Sequence, residues 1–121
     1  MNVLAIRGAT NVVSNNKEEI LDESAKLIQT IIIENLLEVD DIVSMCFTMT
    51  NDLDKVYPSV AVREILHICD IPMLNFEEKY IEGSLRMCIR VMMYINTNKT
   101  KSDINHVYLN GTQNLRKDLI K

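Results

Sequence analysis

The chain has no tryptophan, two prolines, three glycines and three cysteines in 121 residues, and aromatic residues make up 5%. So little proline and glycine excludes a collagen-like, linker-like or low-complexity organisation, and no internal repeat is visible. Cys46, Cys69 and Cys88 are odd in number and lack C-x-x-C spacing. Neither a disulfide framework nor a zinc site is indicated, and a reducing cytoplasm is the expected compartment. No apolar run approaches the ~20 residues that a membrane span requires. The opening stretch MNVLAIRGAT is broken by Arg7 and is too short in apolar character for a signal peptide. In that compartment the N-x-T matches at Asn98 and Asn110 carry no meaning. A formal net charge of -4 argues against non-specific nucleic-acid binding, so an anionic ligand must be met by a local basic pocket.

What is present is a 47% apolar, 25% charged sequence, which describes one globular domain over residues 1–121 folding by ordinary hydrophobic burial. NVLAIRG reads as a first strand, with Val3, Ala5 and Arg7 on one face and Leu4 and Ile6 on the other. SNNKEEILDESAKLIQTIIIEN reads as a long helix, with N-cap candidates at Ser14 to Asn16 and an apolar stripe of Ile20, Leu21, Leu27, Ile28, Ile31 and Ile32. IVSMCFTMT alternates as a second strand, and SVAVREILHIC forms a second helix with Ala61, Val62, Ile65, Leu66 and Cys69 on its apolar side. PMLNF is a short third strand, the polar EEKYIEGSLR a loop, and MCIRVMMYIN a fourth strand. INHVYLN is a fifth, and the tail from about 112 to 121 has no evident partner and is expected to be flexible. The order β-α-β-α-β-β-β gives an α+β domain with a mixed sheet and both helices on one face. The bare face carries Met92 and Tyr94, too apolar for open water, which implies a homo-oligomer with pockets between chains.

Arg90 sits in the fourth strand and Arg7 in the first, each between apolar neighbours. Singly, either reads as a cation reaching the sheet edge or pairing with a structural carboxylate. Two of them, on separate strands, point instead to an anionic ligand, because a half-buried cation without a partner is costly. Glu78 lies among Glu77, Lys79 and Glu82 and reads locally as solvated loop; Tyr108, Tyr57 and Arg63 read as packing or surface residues. Cys88 shares a strand face with Arg90, but neither His67 nor His106 is placed as its base, and cysteine catalysis is rejected. No Ser-His-Asp order, glycine-rich phosphate loop or paired-histidine motif occurs, and the seven methionines lack metal-ligand spacing. From residues alone the chain is a small oligomeric α+β protein with an arginine-rich anion site. A non-catalytic acid-binding module fits that description, as does a small oligomeric hydrolase or deaminase, although no pair to activate a water is evident.

Taken together, IRGAT (6–10), DLDKVYPSVAVRE (52–64), GSLRMCIRVMM (83–93), HVYL (106–109) and LRKDL (115–119) closely resemble the monofunctional chorismate mutases of the trimeric α/β-barrel type. The resemblance runs nearly end to end. It implies rearrangement of chorismate, a dianion, to prephenate on the way to phenylalanine and tyrosine, with no cofactor and no metal. It further implies a homotrimeric pseudo-α/β-barrel with an active site at each subunit interface. By the same resemblance Arg90 donates to the ether oxygen and a carboxylate, Arg7 and Tyr108 hold a carboxylate, and Glu78 accepts from the ring hydroxyl. Tyr57 and Arg63 come from the neighbouring chain, Leu115 and Arg116 close the mouth, and Ser59, Met73, Leu74 and Asn75 complete the substrate-binding set. Against the best-known members, Asn75 stands in place of a cysteine, Val60 in place of a lysine and Tyr57 in place of a phenylalanine.

Overall fold

Alternating residues from Asn2 onward form strand β1 (Asn2–Asn11) in the computed structural model, which describes residues 1–120. Helix α1 (Lys17–Glu34) follows, then β2 (Ile42–Thr50), α2 (Ser59–Glu64), β3 (Met73–Glu78), β4 (Cys88–Thr97) and β5 (Val107–Tyr108), so the element order is the one expected. All five strands join one mixed sheet in the order β3-β2-β4-β1-β5. Strand β4 is antiparallel to both β1 and β2, whereas β3 runs parallel to β2 and β5 parallel to β1.

The start of α1 is fixed by its sequence. Asn16 is extended and accepts from the Glu19 N–H at 2.8 Å, while the Glu19 carboxylate reaches back to the Val13 N–H at 2.6 Å and the Ser14 hydroxyl at 2.8 Å. An N-cap bond of the Asn16 kind stabilises a helix start by about 1 kcal/mol. The buried stripe is Ile20, Ser24, Ala25, Leu27, Ile28 and Ile31; Leu21 and Ile32, also expected there, flank it half-buried. Gly8 lets α1 seat on β1, because a Cβ there would stand 2.7 Å from the Ile31 Cδ1 and 3.1 Å from the Leu27 Cδ1. At the other end the buried Asn35 side chain donates to the Ile31 carbonyl and ties the Asn105 backbone from both sides, at 2.9 and 2.8 Å.

The two helices pack side by side on the face carrying Ile6, Met45, Phe47, Ile89, Val91, Met93 and Ile95, all of them buried. Each such side chain contributes roughly 1.5–3 kcal/mol when withdrawn from water. The alternation read in MCIRVMMYIN is therefore the sheet's own division into core face and bare face. Met87, assigned to that strand, lies just before it at φ 54°.

Four elements differ from expectation in extent. Strand β1 runs past Gly8 to Asn11, because β4 offers ladder partners as far as Asn11↔Cys88. Helix α2 ends at Glu64 rather than Cys69: Ile65 and Leu66 both donate to the Ala61 carbonyl, and His67 takes φ 58°. That turn drives Ile68 and Ile71 into the core and leaves Ile65 and Cys69 exposed. Strand β3 continues through Glu77 and Glu78 because β2 offers ladder partners as far as Thr50↔Glu78, and pairing overrides the polar local sequence. Strand β5 is only Val107–Tyr108, paired with Gly8 and Ala9, since Asn110 turns to φ 56°. Beyond it, Asn110–Thr112 and Lys117–Leu119 form single 3-10 turns. The tail does have partners: Thr112 donates to a backbone carbonyl of β1, and Gly111 donates to the Asn11 side chain.

Candidate active site

On the bare face, residues in register form rows across the sheet. One row runs Phe76, Thr48, Arg90, Ala9 and Tyr108; the next holds Leu74, Cys46, Met92 and Arg7. Ala9 between Arg90 and Tyr108 is fully buried, and Arg7 stands on the diagonal from Arg90, within reach of a long side chain. A cavity of about 310 Å³ lies over this patch, lined by Arg7, Cys46, Thr48, Glu78, Arg90 and Met92.

Glu78 is the partner that a half-buried arginine requires. Its carboxylate accepts from Arg90 Nε at 3.1 Å and from Arg90 Nη2, and it also accepts from the Thr48 hydroxyl at 3.0 Å. The bonds to Glu78 raise the Arg90 pKa against the opposing effect of burial, so the guanidinium stays charged at any working pH. Among the described residues, Arg90 Nη1 has no hydrogen-bond partner. Arg7 is held by its backbone, whose N–H donates to His106 Nδ1 at 2.9 Å, while its guanidinium makes no ion pair with a described residue.

Tyr108 is 7% exposed, and its hydroxyl is buried without a hydrogen-bond partner among the described residues. An orphaned buried phenol costs free energy unless something completes it. Burial raises its pKa, and the charges of Arg7, Arg116 and Arg90 oppose that rise, which puts three arginines within electrostatic reach of one hydroxyl. Arg116 is engaged within the tail, donating to Asp118 at 2.9 and 2.7 Å; that pairing raises its pKa. Leu115 beside it is half-buried. Cys88 is buried with its thiol pushed up to about 11, mainly by desolvation, so no thiolate nucleophile is present.

The remaining expected site residues gather elsewhere. Asn75 is in register with Phe47 and so faces the helix side of the sheet, where it donates to the Ser59 hydroxyl at 2.8 Å and accepts from the Ser59 N–H at 3.2 Å. Met73 shares that face, while Leu74 lies on the bare face and is 61% exposed. Tyr57, 59% exposed, lines a second cavity of about 570 Å³ with Val60, Asn75 and Phe76, and Arg63 is exposed in α2. Within one chain, then, Arg7, Glu78, Arg90, Tyr108 and the tail form one group, and Tyr57, Ser59, Arg63 and Asn75 form another around α2. Cys46 and Thr48 line the first cavity without having been singled out in the sequence; their place opposite Met45 and Phe47 in an alternating strand was the available signal.

Among the described residues no three His, Cys, Asp or Glu side chains gather as a metal site, and no helix is long and apolar enough to cross a membrane. Residues 3–119 match the family described as chorismate mutase type I. The chain is 40% identical over 119 residues to the chorismate mutase AroH of Bacillus subtilis, spanning 98% of this chain and 94% of that one. It is 33% identical over 119 residues to the chorismate mutase AroH of Thermus thermophilus, spanning 97% and 96% of the two chains. A solved chorismate mutase from Clostridium thermocellum superposes with a TM-score of 0.87 at 46% identity, over 91% of this chain and 97% of that one. The chain therefore belongs to the type I chorismate mutases, a family of isomerases.

Proposed function

We propose that this chorismate mutase turns chorismate into prephenate over the Arg7–Arg90 patch, by holding one conformer and stabilising charge on the breaking ether oxygen. The observation that carries this reading is that two guanidinium groups line one cavity, with a buried phenol, unpartnered among the described residues, in the same row as Arg90 and within electrostatic reach of both, and Glu78 already orienting Arg90. Chorismate carries two carboxylates. Its rearrangement is unimolecular: the allylic C–O bond breaks as a new C–C bond forms, electrons move around one six-membered ring, and no proton is transferred. The protein need supply only shape and electrostatics, with no cofactor or metal.

Arg90 donates to the ether oxygen, where negative charge grows in the transition state, and to a carboxylate of the substrate. A fixed donor aimed at developing charge is worth roughly 3 kcal/mol, because it needs no reorganisation when the charge appears. Arg7 and the Tyr108 hydroxyl hold a carboxylate and select the compact conformer in which the reacting carbons meet. Glu78 has a second task, accepting from the ring hydroxyl. Lysine in place of Arg90 would offer a point charge without the planar fork that Glu78 now grips.

Tyr57, Ser59, Arg63, Met73, Leu74 and Asn75 complete the same pocket from a neighbouring chain of a homotrimeric pseudo-α/β-barrel, with the bare sheet faces packed inward. Support comes from the grouping of Tyr57, Ser59, Arg63 and Asn75 around α2, apart from Arg90 within one chain, and from exposed Val3, Leu74 and Phe76 on the sheet face opposite the helices. Leu115 and Arg116 close the mouth. Residues 1–121 act as one domain, in the cytoplasm, where the unpaired Cys46, Cys69 and Cys88 remain reduced. The product feeds phenylalanine and tyrosine synthesis.

The test is turnover by mixed trimers. Arg63→Ala and Arg90→Ala chains, each inactive alone, are unfolded, mixed and refolded, and chorismate loss is followed by absorbance with prephenate confirmed as phenylpyruvate after acid. Partial recovery of activity is expected, because some interfaces then carry both intact residues. No recovery, with mixing proven by mass spectrometry, would contradict a site shared between chains.

A further inference from the structure

The β2–β4 ladder stops at Met49↔Ile89, yet the next N–H of β4 is not left open. The Cys88 N–H donates to the Thr50 hydroxyl at 3.0 Å, and that hydroxyl, 5% exposed with the rest of Thr50, donates in turn to Asp52 Oδ1. The Asp52 carboxylate also accepts the Met87 N–H at 3.0 Å and pairs with Arg86 Nε at 3.3 Å. Met87 is fixed from its other side as well, since its carbonyl accepts from the Val12 N–H at 2.9 Å. Met87 takes φ 54°, a conformation that side chains larger than glycine rarely adopt and that persists only when surroundings impose it.

Thr50 stands in register with Glu78 on one side and bonds Cys88 on the other. It therefore joins the last residue of β3 to the first residue of β4, two positions before Arg90. Both members of the Glu78–Arg90 pair hang from strand ends, and between those ends the chain makes an exposed excursion through Tyr80, Ile81 and Gly83. The two strands share β2 as a common neighbour, but its ladder with β4 stops at Met49↔Ile89, and past that point the strand ends are joined by the loop, by the ion pair and by Thr50. We propose that Thr50 and Asp52 are positioning residues for the reaction: the relay from Asp52 through the Thr50 hydroxyl to the Cys88 N–H sets the start of β4, and thereby the angle at which Arg90 meets Glu78 and the substrate. This rests on the reading of Arg90 as the donor to the ether oxygen.

Steady-state kinetics with chorismate, paired with thermal unfolding, separates positioning from plain stability. Thr50→Val keeps the shape and loses the hydroxyl; Thr50→Ser keeps the hydroxyl and loses the methyl. Thr50→Val is expected to lower kcat about 10- to 100-fold with little change in KM, the scale on which small misplacements act. Thr50→Ser is expected to retain kcat despite a lower unfolding temperature, and Asp52→Asn to lower kcat in the direction of Thr50→Val. Wild-type kcat in Thr50→Val, or losses in both Thr50 variants that simply follow their stability, would overturn the proposal. Arg90→Ala in the same assay keeps the two levels apart: wild-type turnover there would overturn the reading of the site itself, whatever the Thr50 variants do.

Discussion

Arg90 and Glu78 face each other across the bare side of the sheet, the carboxylate accepting from both Nε and Nη2 of the guanidinium. Because Thr48 donates to the same carboxylate, Glu78 cannot swing away without breaking bonds on two strands. The guanidinium is thereby held in one plane before any substrate arrives, with Nη1 directed elsewhere. Preorganisation of this kind separates a catalytic donor from an ordinary surface ion pair, which is worth little.

Glu78→Gln keeps the shape of the partner and removes its charge. Hydrogen bonds to charged groups contribute about 1.5–3 kcal/mol, so kcat/KM for chorismate is expected to fall roughly 10- to 100-fold. Initial-rate kinetics on the purified variant checks this, and an unchanged kcat/KM would remove Glu78 from the site.

Tyr108→Phe removes a hydroxyl that has no partner among the described residues. No hydrogen bond to those residues is lost, so the unfolding temperature is expected to stay level or rise, while kcat/KM drops by about tenfold through the lost contact to a substrate carboxylate. Loss of stability together with activity would instead make Tyr108 a structural residue.

Gly8→Ala places a methyl against Ile31, Leu27 and Val91, with the nearest atom at 2.7 Å. Overpacking of this kind costs about 1–3 kcal/mol, because α1 must shift from β1 or a side chain must leave its rotamer. Urea unfolding should show a lower midpoint, and a midpoint equal to wild type would mean that α1 is not seated as described.

Asp52 carries a pH signature. Burial pushes its pKa up, but the bonds from Thr50 and the Met87 N–H and the charge of Arg86 outweigh it, so the folded value lies below the ordinary 3.8. A depressed carboxylate contributes stability that is full above its unfolded value and disappears as pH falls through the folded one. The unfolding temperature of wild type should therefore fall between roughly pH 5 and pH 2, and more steeply than that of Asp52→Asn. Parallel curves for the two proteins would contradict the ion pair and its hydrogen bonds.

The elements that could be read from the sequence are those whose faces alternate locally. Strands β2 and β4 and the stripe of α1 follow from the positions of Met45, Phe47, Ile89, Met93, Ile28 and Ile31 alone. The end of β3 could not be read, because Glu77 and Glu78 are polar and only their pairing with Met49 and Thr50 makes them strand. The turn after Ile65 was hidden for a similar reason, since burial of Ile68 and Ile71 decides it. At the site, parity put Arg7 with Val3 and Ala5, and Arg90 with Cys88 and Met92, but only the register of β1 on β4 brings the two arginines to one face. The bonds that brace them, Thr48 to Glu78 and Asp52 to Met87, join residues 30 and 35 positions apart and leave no local pattern. Tyr108 could be assigned a face, but that its hydroxyl has no partner among the described residues emerges only when β5 docks beside Ala9.

The central claim concerns Arg90, and the most direct measurement is kcat for chorismate with Arg90→Ala beside wild type, both shown to be folded. Losing a fixed donor to the ether oxygen removes at least ~3 kcal/mol of transition-state stabilisation, so a drop of about 100-fold or more in kcat is the expected result. A folded Arg90→Ala enzyme with kcat near wild type would contradict the mechanism.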